Sequence, residues 1–365
     1  MNPAAWTHRQ LAERVLAALA LILVLVWPAT PFSAYWTHQI LIETFLFGIT
    51  ASSLIFLSAY GAMVSLAQVS LYGIAGFALG NVVTNGETKG LNLGWNPWLG
   101  VLLGIVIATA VGLLFGALAS RSAGIYFLMI TLTYAVIANY FFGQVTTFSG
   151  FGGISNIGGH TPGLIGDPDV HPNRLYYASL VVAVLVYLLI RYVVRTPFGL
   201  ALQGIRDDPP RMRALGYNVA AHRTLAFGLG AFIASLAGVL FVWWNGHIDP
   251  ATIDVGSTID VLVIAVIGGL YRLEGAWLGA FVFVVIQTYI QSIGVLKNSK
   301  FLGDIGLDAS RFHTYIGAIF LIIVLLSPAG LLGIGGRVRD QLIRVLGGRA
   351  PLEKGAPAVE KPGVP

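Results

Sequence analysis

The sequence predicts an all-α fold, a polytopic helical membrane protein of about ten transmembrane helices. Three observations carry that expectation. Hydrophobic residues make up 56% of the 365 and charged residues only 10%, against about a quarter charged in soluble domains. Mean hydropathy is +0.79. The apolar residues are gathered into repeated runs of about 20, each long enough to cross a hydrocarbon core about 30 Å thick.

In chain order the expected spans are 12–27, 40–60, 63–82, 97–118, 123–142, 175–194, 224–244, 257–271, 275–294 and 312–327. The first follows Arg9 and Arg14 and resembles a signal peptide, but cleavage after "PFSA" would put Phe32 where a small residue is wanted. It is therefore expected to stay as a span. Glycine and polar residues interrupt the third and the eighth. The sixth and seventh bracket the most polar stretch of the chain. Residues 1–335 are expected to form the membrane-spanning domain, and 336–365 a basic tail rich in Pro, Gly and Ala, expected to end in disorder.

Charge sets the orientation. With the N-terminus inside, all of the 21 Lys and Arg fall on the inner side except Lys89, Arg174, Lys297, Lys300 and Arg311, the asymmetry of cytoplasmic loops. Both termini are then cytoplasmic. Trp27, Trp36, Trp95, Trp98, Trp243 and Trp244 fall near the outer interface, where an aromatic belt belongs. The net charge of +5 is thus a topology signal, with no nucleic acid implied.

Several chemistries are missing from the chain. It has no cysteine, hence neither a disulfide framework nor a thiolate metal site. It has no Gly-Lys pair, so no phosphate-cradling loop for ATP, and neither a G-x-S-x-G elbow nor H-E-x-x-H. Its seven histidines lack metal-ligand spacing. "SGFGGISNIGG" (Ser149–Gly159) lacks both G-x-G-x-x-G and a preceding strand. No catalytic residue, metal or cofactor is expected. Glu43 and Asp260 are the two carboxylates inside spans, each near an outer end. They read either as interfacial groups with water access or as residues on a translocation path, and an ion-coupled carrier would need such groups.

The polar stretch "ALQGIRDDPPRMRALGYNV" (Ala201–Val219) lies on the inner side. Asp207 or Asp208 suits an N-cap, Pro209 the first helical position and Gly216 a left-handed stop. A topology loop needs charge but no shape, so a capped helix here reads as a docking surface.

At these residues the chain resembles a known family, the longer of the paired permease subunits of ATP-binding-cassette importers for branched-chain amino acids. "GIRDDPPRMRALGYNVAAHRTLAFGLGAFIASLAGVLF" (Gly204–Phe241) is similar to the family's cytoplasmic coupling loop and following span. "SLAQVSLYGIAGFALG" (Ser65–Gly80), "RSAGIYFLMITLTYAVIANYFF" (Arg121–Phe142), "SGFGGI" (Ser149–Ile154), "VIGGLYRLEGAWLGA" (Val266–Ala280) and "SPAGLLGIGG" (Ser327–Gly336) match further blocks in order. Ala67, Pro209 and the segment Tyr271–Glu274 depart from the family pattern. Permeases for urea and short amides resemble the same family closely.

The resemblance implies a bacterial inner-membrane complex. Its other members would be a second, related permease, two cytoplasmic ATP-binding subunits and an external substrate-binding protein, all set in membrane lipid. The coupling loop spans about 196–222, with Arg206, Asp207, Asp208, Arg213, Ala214, Leu215 and Gly216 as its coupling residues. Small residues let helix backbones approach, and interrupted helices at matching places in two halves point to a transport path. Spans two to five and seven to ten would form an inverted repeat, with Ser65, Gln68, Ser70, Gly73, Gly76, Gly268 and Gly269 along the path. Simple helix packing by these glycines is the other reading.

Overall fold

The computed structural model describes residues 35–86, 90–163 and 172–295, with the isolated positions 165, 166, 168, 317, 321, 330 and 331. The first and tenth expected spans, the basic tail, Trp27, Lys89, Lys297, Lys300 and Arg311 lie outside the described residues. The described elements are α1 (Ile42–Gly61, entered through a π-helical turn at Trp36–Leu41), α2 (Gln68–Val83), α3 (Pro97–Ala119), α4 (Ile125–Gln144), α5 (Pro172–Arg195), α6 (Pro197–Asp207), α7 (Pro209–Ala214), α8 (Val219–Asn245), α9 (Val255–Gly268) and α10 (Glu274–Val295). Eight of these match the second to ninth expected spans. Five helical segments, those of α1, α3, α4, α5 and α8, are long and apolar enough to cross a membrane, while α2, α9 and α10 hold shorter apolar helices.

The boundaries follow from local chemistry. Asn96 accepts the Trp98 amide and is followed by Pro97, so α3 starts there. Asn218 accepts the Ala221 amide at the head of α8, and Asp254 the Ser257 amide at the head of α9; both are ordinary N-caps. Gly269, at φ 117°, ends α9. The expected third span is shorter than its apolar run. Residues 62–67 are irregular and helix begins at Gln68, because the Ser65 hydroxyl accepts the Ala67 amide and Thr131 accepts that of Leu66. Local side-chain bonding displaces the helical ladder there.

α1 and α8 form the centre. Of their apolar windows 83% and 72% are buried, against 22% for α3. α3 lies against α2 and α8 through a row of small residues one turn apart, Gly100, Gly104, Ala108, Gly112 and Gly116. A side chain at Gly104 would meet the Ala75 carbonyl oxygen at 2.8 Å, and one at Gly116 the Phe227 side chain, also at 2.8 Å. Close backbone approach of this kind is how helices gain contact in lipid, where apolar burial gives no advantage. The opposite face of α3, with Leu102, Val106, Leu114 and Leu118, is exposed, as are Val181, Leu185, Leu188 and Tyr192 of α5. These faces suit lipid.

The packing has a two-fold character. α3 packs on α2 and α8, and α10 packs on α9 and α1; α2 packs on α8, and α9 on α1. Exchanging the trio α1, α2, α3 for α8, α9, α10 maps these contacts onto themselves; the tenth span, which would complete the second of the two expected sets of four, lies outside the described residues. The belt of tryptophans needs one correction. Trp95 and Trp98 are about half exposed, but Trp243 is buried inside the bundle, and the Trp244 indole donates to the His38 carbonyl.

Candidate functional site

Arg191, Arg195, Arg206, Arg211, Arg213, Arg223 and Arg272 gather at one end of the bundle, called here the basic end. Contacts tie its pieces together. Arg223, nearly buried at the start of α8, donates to the Ser122 carbonyl in the α3–α4 turn. Arg191 donates to the Tyr187 hydroxyl, which donates to Glu274. Glu274, one of the residues departing from the family pattern, thereby anchors the head of α10 to α5.

The polar stretch forms two helices where one was expected. α7 has the anticipated form, with Asp208 accepting the Arg211 amide, Pro209 in its first turn, and Gly216 at φ 90° just past its end. α6 was missed, although Thr196 before Pro197 is a legible start signal: its hydroxyl accepts the Gly199 amide. α6 buries Ala201, Leu202 and Ile205 against the membrane helices. Met212 of α7 seats on Gly204 of α6. Arg206 turns inward. It donates to the Ala59 carbonyl at the end of α1 at 2.7 Å and to its neighbour Asp207 at 2.8 Å. Arg211, Arg213, Ala214, Leu215, Gly216 and Tyr217 are exposed, Leu215 by 64%.

The residues expected along a path divide into two groups. Ser65 and Gln68 belong to one buried network: Ser53 donates to Gln68 at 2.9 Å, and the Gln68 amide donates to Ser65 at 3.3 Å. Ser70 is buried and, among the described residues, bonds the Ala67 carbonyl alone. The glycines are packing positions. Gly73 lies under Ile253, and Gly76 under Ile248 and Val242. Gly268 and Gly269 meet Gly275 and Gly330 backbone to backbone, which joins two sequence blocks that are far apart in the chain.

A cavity of about 230 Å³ lies toward the end opposite the basic one, next to the part of α2 that carries Gly73. Glu43, Phe47 and Thr50 of α1 line it at spacings of four and three residues, together with Val69 and Tyr72 of α2 and Phe241 of α8. Thr252, Ser257, Asp260, Val261 and Gln287 complete the wall. Glu43 and Asp260 thus face one space. None of the seven expected path residues lines it. Thr50 connects it to the buried network, since its carbonyl accepts the Ser53 hydroxyl. Above it, a backbone bridge between Ile154 and Ile248 and a bond from Asn139 to the Pro250 carbonyl hold the loop that carries Thr252.

Orientation can be checked directly, because the chain has no cysteine of its own. With the basic end inside the cell, a cysteine at Ala214 is expected to escape a membrane-impermeant thiol reagent in intact cells. One at Phe151, 75% exposed at the far end, is expected to react. Labelling at Ala214 would overturn this topology.

The sequence model of the family described as branched-chain amino acid transport system, permease component, matches residues 37–326. The chain is 25% identical over 303 residues to a probable branched-chain amino acid transport permease protein LivM of Methanocaldococcus jannaschii, covering 78% of this chain and 84% of that protein. It is 25% identical over 258 residues to the high-affinity branched-chain amino acid transport system permease protein LivM of Escherichia coli, covering 64% of this chain and 57% of the relative. A probable LivH permease of M. jannaschii is 26% identical over 173 residues, or 46% of this chain and 51% of that protein. No solved structure matches the chain.

Proposed function

Because the chain belongs to the family of permease components of branched-chain amino acid transport systems, we propose that it forms the membrane pathway of an ATP-driven importer for branched-chain amino acids. Its partners in this reading are a second, related permease, two ATP-binding subunits at the basic end, and a substrate-binding protein at the other. The complex sits in the bacterial inner membrane with both chain termini cytoplasmic. The chain itself does no catalysis, and ATP hydrolysis belongs to the partners.

One observation supports this reading most: a single surface element is joined to both central helices, and each of those helices lines the cavity at its far end. α7 runs into α8 through Gly216–Asn218, and α8 carries Phe241. α6 is strutted onto the end of α1 by Arg206, and α1 carries Glu43, Phe47 and Thr50. A 27-residue helix is about 40 Å long and moves as a rod. Closure of the ATP-binding partners against Leu215, Tyr217, Arg211 and Arg213 would tilt α8 and draw on α1 together, changing the cavity without any contact between it and ATP.

The test is uptake of leucine by the purified complex in vesicles, with its binding protein outside and ATP within. Uptake is expected to require ATP and to ignore imposed proton and sodium gradients. Accumulation that follows an ion gradient in the absence of ATP would replace this reading with an ion-coupled carrier.

A further inference from the structure

The cavity wall has a one-sided chemistry. Two carboxylates, Glu43 and Asp260, face it, and no Lys, Arg or His is among its lining residues. Glu43 makes no hydrogen bond or ion pair with any described residue. The side-chain oxygen of Gln287 is shut off from solvent and receives no donor from any described residue. The hydroxyls of Thr50 and Thr252 are already spent as donors, to the Leu46 carbonyl and to Asp249. The wall's other polar groups, the hydroxyls of Tyr72 and Ser257 and the amide of Gln287, are neutral, so the two carboxylates face a space lined by no positive charge. Buried acceptors of this kind, and buried negative charge above all, are stable only against a donor or a cation. No group of three or more metal-ligating side chains occurs among the described residues. The space equals the liquid volume of roughly seven or eight waters, enough for a small organic molecule.

We propose that this cavity binds a primary ammonium group carried on a short aliphatic skeleton. The ammonium is held by Glu43 with Asp260 on the same wall, and the skeleton lies against Phe47 and Phe241. An ammonium has three N–H donors and no acceptor, the complement of this wall. A ligand carboxylate finds no positive side chain there and is left toward the mouth. The inference rests on the transport reading for the choice of carbon skeleton, and on the cavity for the choice of head group.

The experiment uses the complex in lipid nanodiscs without its binding protein, and measures equilibrium binding of radiolabelled 3-methylbutylammonium, which is leucine without its carboxylate. Saturable binding is expected, displaced by unlabelled leucine and not by 4-methylpentanoate, which is leucine without its amine. Glu43→Gln keeps the shape and removes the charge, and should weaken binding at least about tenfold; Asp260→Asn, a second variant on another helix, should weaken it in the same direction. No saturable binding to the unmutated complex, equal displacement by 4-methylpentanoate, equal displacement by sodium, or unchanged affinity in both variants would each overturn the proposal. ATP-driven leucine uptake by a complex that fails these tests would leave the transport reading standing and remove only the ammonium site. Ammonium binding without such uptake would do the reverse.

Discussion

A complex carrying Gly216→Val is expected to reach the membrane, pair with its partner permease and hydrolyse ATP at its basal rate. It should lose both substrate-stimulated hydrolysis and uptake. Gly216 sits at φ 90° with nothing within 4 Å of the position a side chain would take. No clash arises, and the cost is backbone strain alone, about 1–2 kcal/mol or more for a β-branched residue. The surrounding segment is exposed from Arg206 to Asn218 apart from the half-buried Pro209 and Met212, so this strain does not reach the core. It falls on the stop of α7, where the Gly216 amide donates to the Arg213 carbonyl and the Tyr217 amide to that of Met212. Relaxing it unwinds the stop and displaces Leu215 and Tyr217. Arg206→Ala should give a smaller loss, because Arg206 is an internal strut to α1 and not part of the outward face. A charge-assisted hydrogen bond contributes about 1.5–3 kcal/mol, and at this partly exposed position solvent screening brings it toward the low end. The measurement is ATPase activity of the reconstituted complex with and without loaded binding protein. Unchanged stimulation in a properly assembled Gly216→Val complex would reduce this segment to a topology loop.

Gly238→Val should have the opposite profile, failing before function can be asked about. A side chain on Gly238 would fall on the backbone carbonyl of Tyr72, where α8 crosses α2. Backbone on both sides leaves no flexible atom to move, so the two helices must separate. Overpacking costs typically 1–3 kcal/mol where side chains can adjust, and about 3 kcal/mol or more is expected here. Little monodisperse protein should survive extraction, and its unfolding midpoint should drop by several degrees. Gly152→Ala, in open space and without a positive φ, should match the unmutated chain. A stable, monodisperse Gly238→Val protein would mean that α2 and α8 do not cross this closely.

The helices were legible because length and apolar composition suffice to place a span in lipid. α7 was legible because its start and stop depend on neighbours within a few residues. α6 was legible too, through the cap at Thr196 and Pro197, although it follows the apolar run of α5 with a single residue between them. The glycine row on α3 was equally open to view, as five small residues at a spacing of four. The cavity was not. Glu43 and Asp260 stand more than two hundred positions apart, and nothing near Gln287 marks it as their companion. Only the packing of α1 against α8, α9 and α10 puts them on one wall. The glycines of α2 and α9 are the positions where Ile253, Ile248 and the Gly275 backbone enter, which is the helix-packing reading the sequence also offered.

The hydroxyls of α1 bear on how the protein is made. Thr44, Thr50, Ser52, Ser53 and Ser58 each donate to a carbonyl three or four residues back in the same helix, so none depends on a neighbour for its first hydrogen bond. During synthesis α1 enters the bilayer long before α8 exists to cover it, and an unsatisfied polar group in hydrocarbon costs several kcal/mol. Self-bonded hydroxyls let the nascent helix wait in lipid at little penalty. Once α8 and α2 arrive, the Ser53 hydroxyl can turn its one proton from the Thr50 carbonyl to the Gln68 side-chain oxygen. The sequence of α1 therefore answers to two solvents in succession, which is why a helix so thoroughly enclosed in the finished protein is still composed as though it faced the membrane.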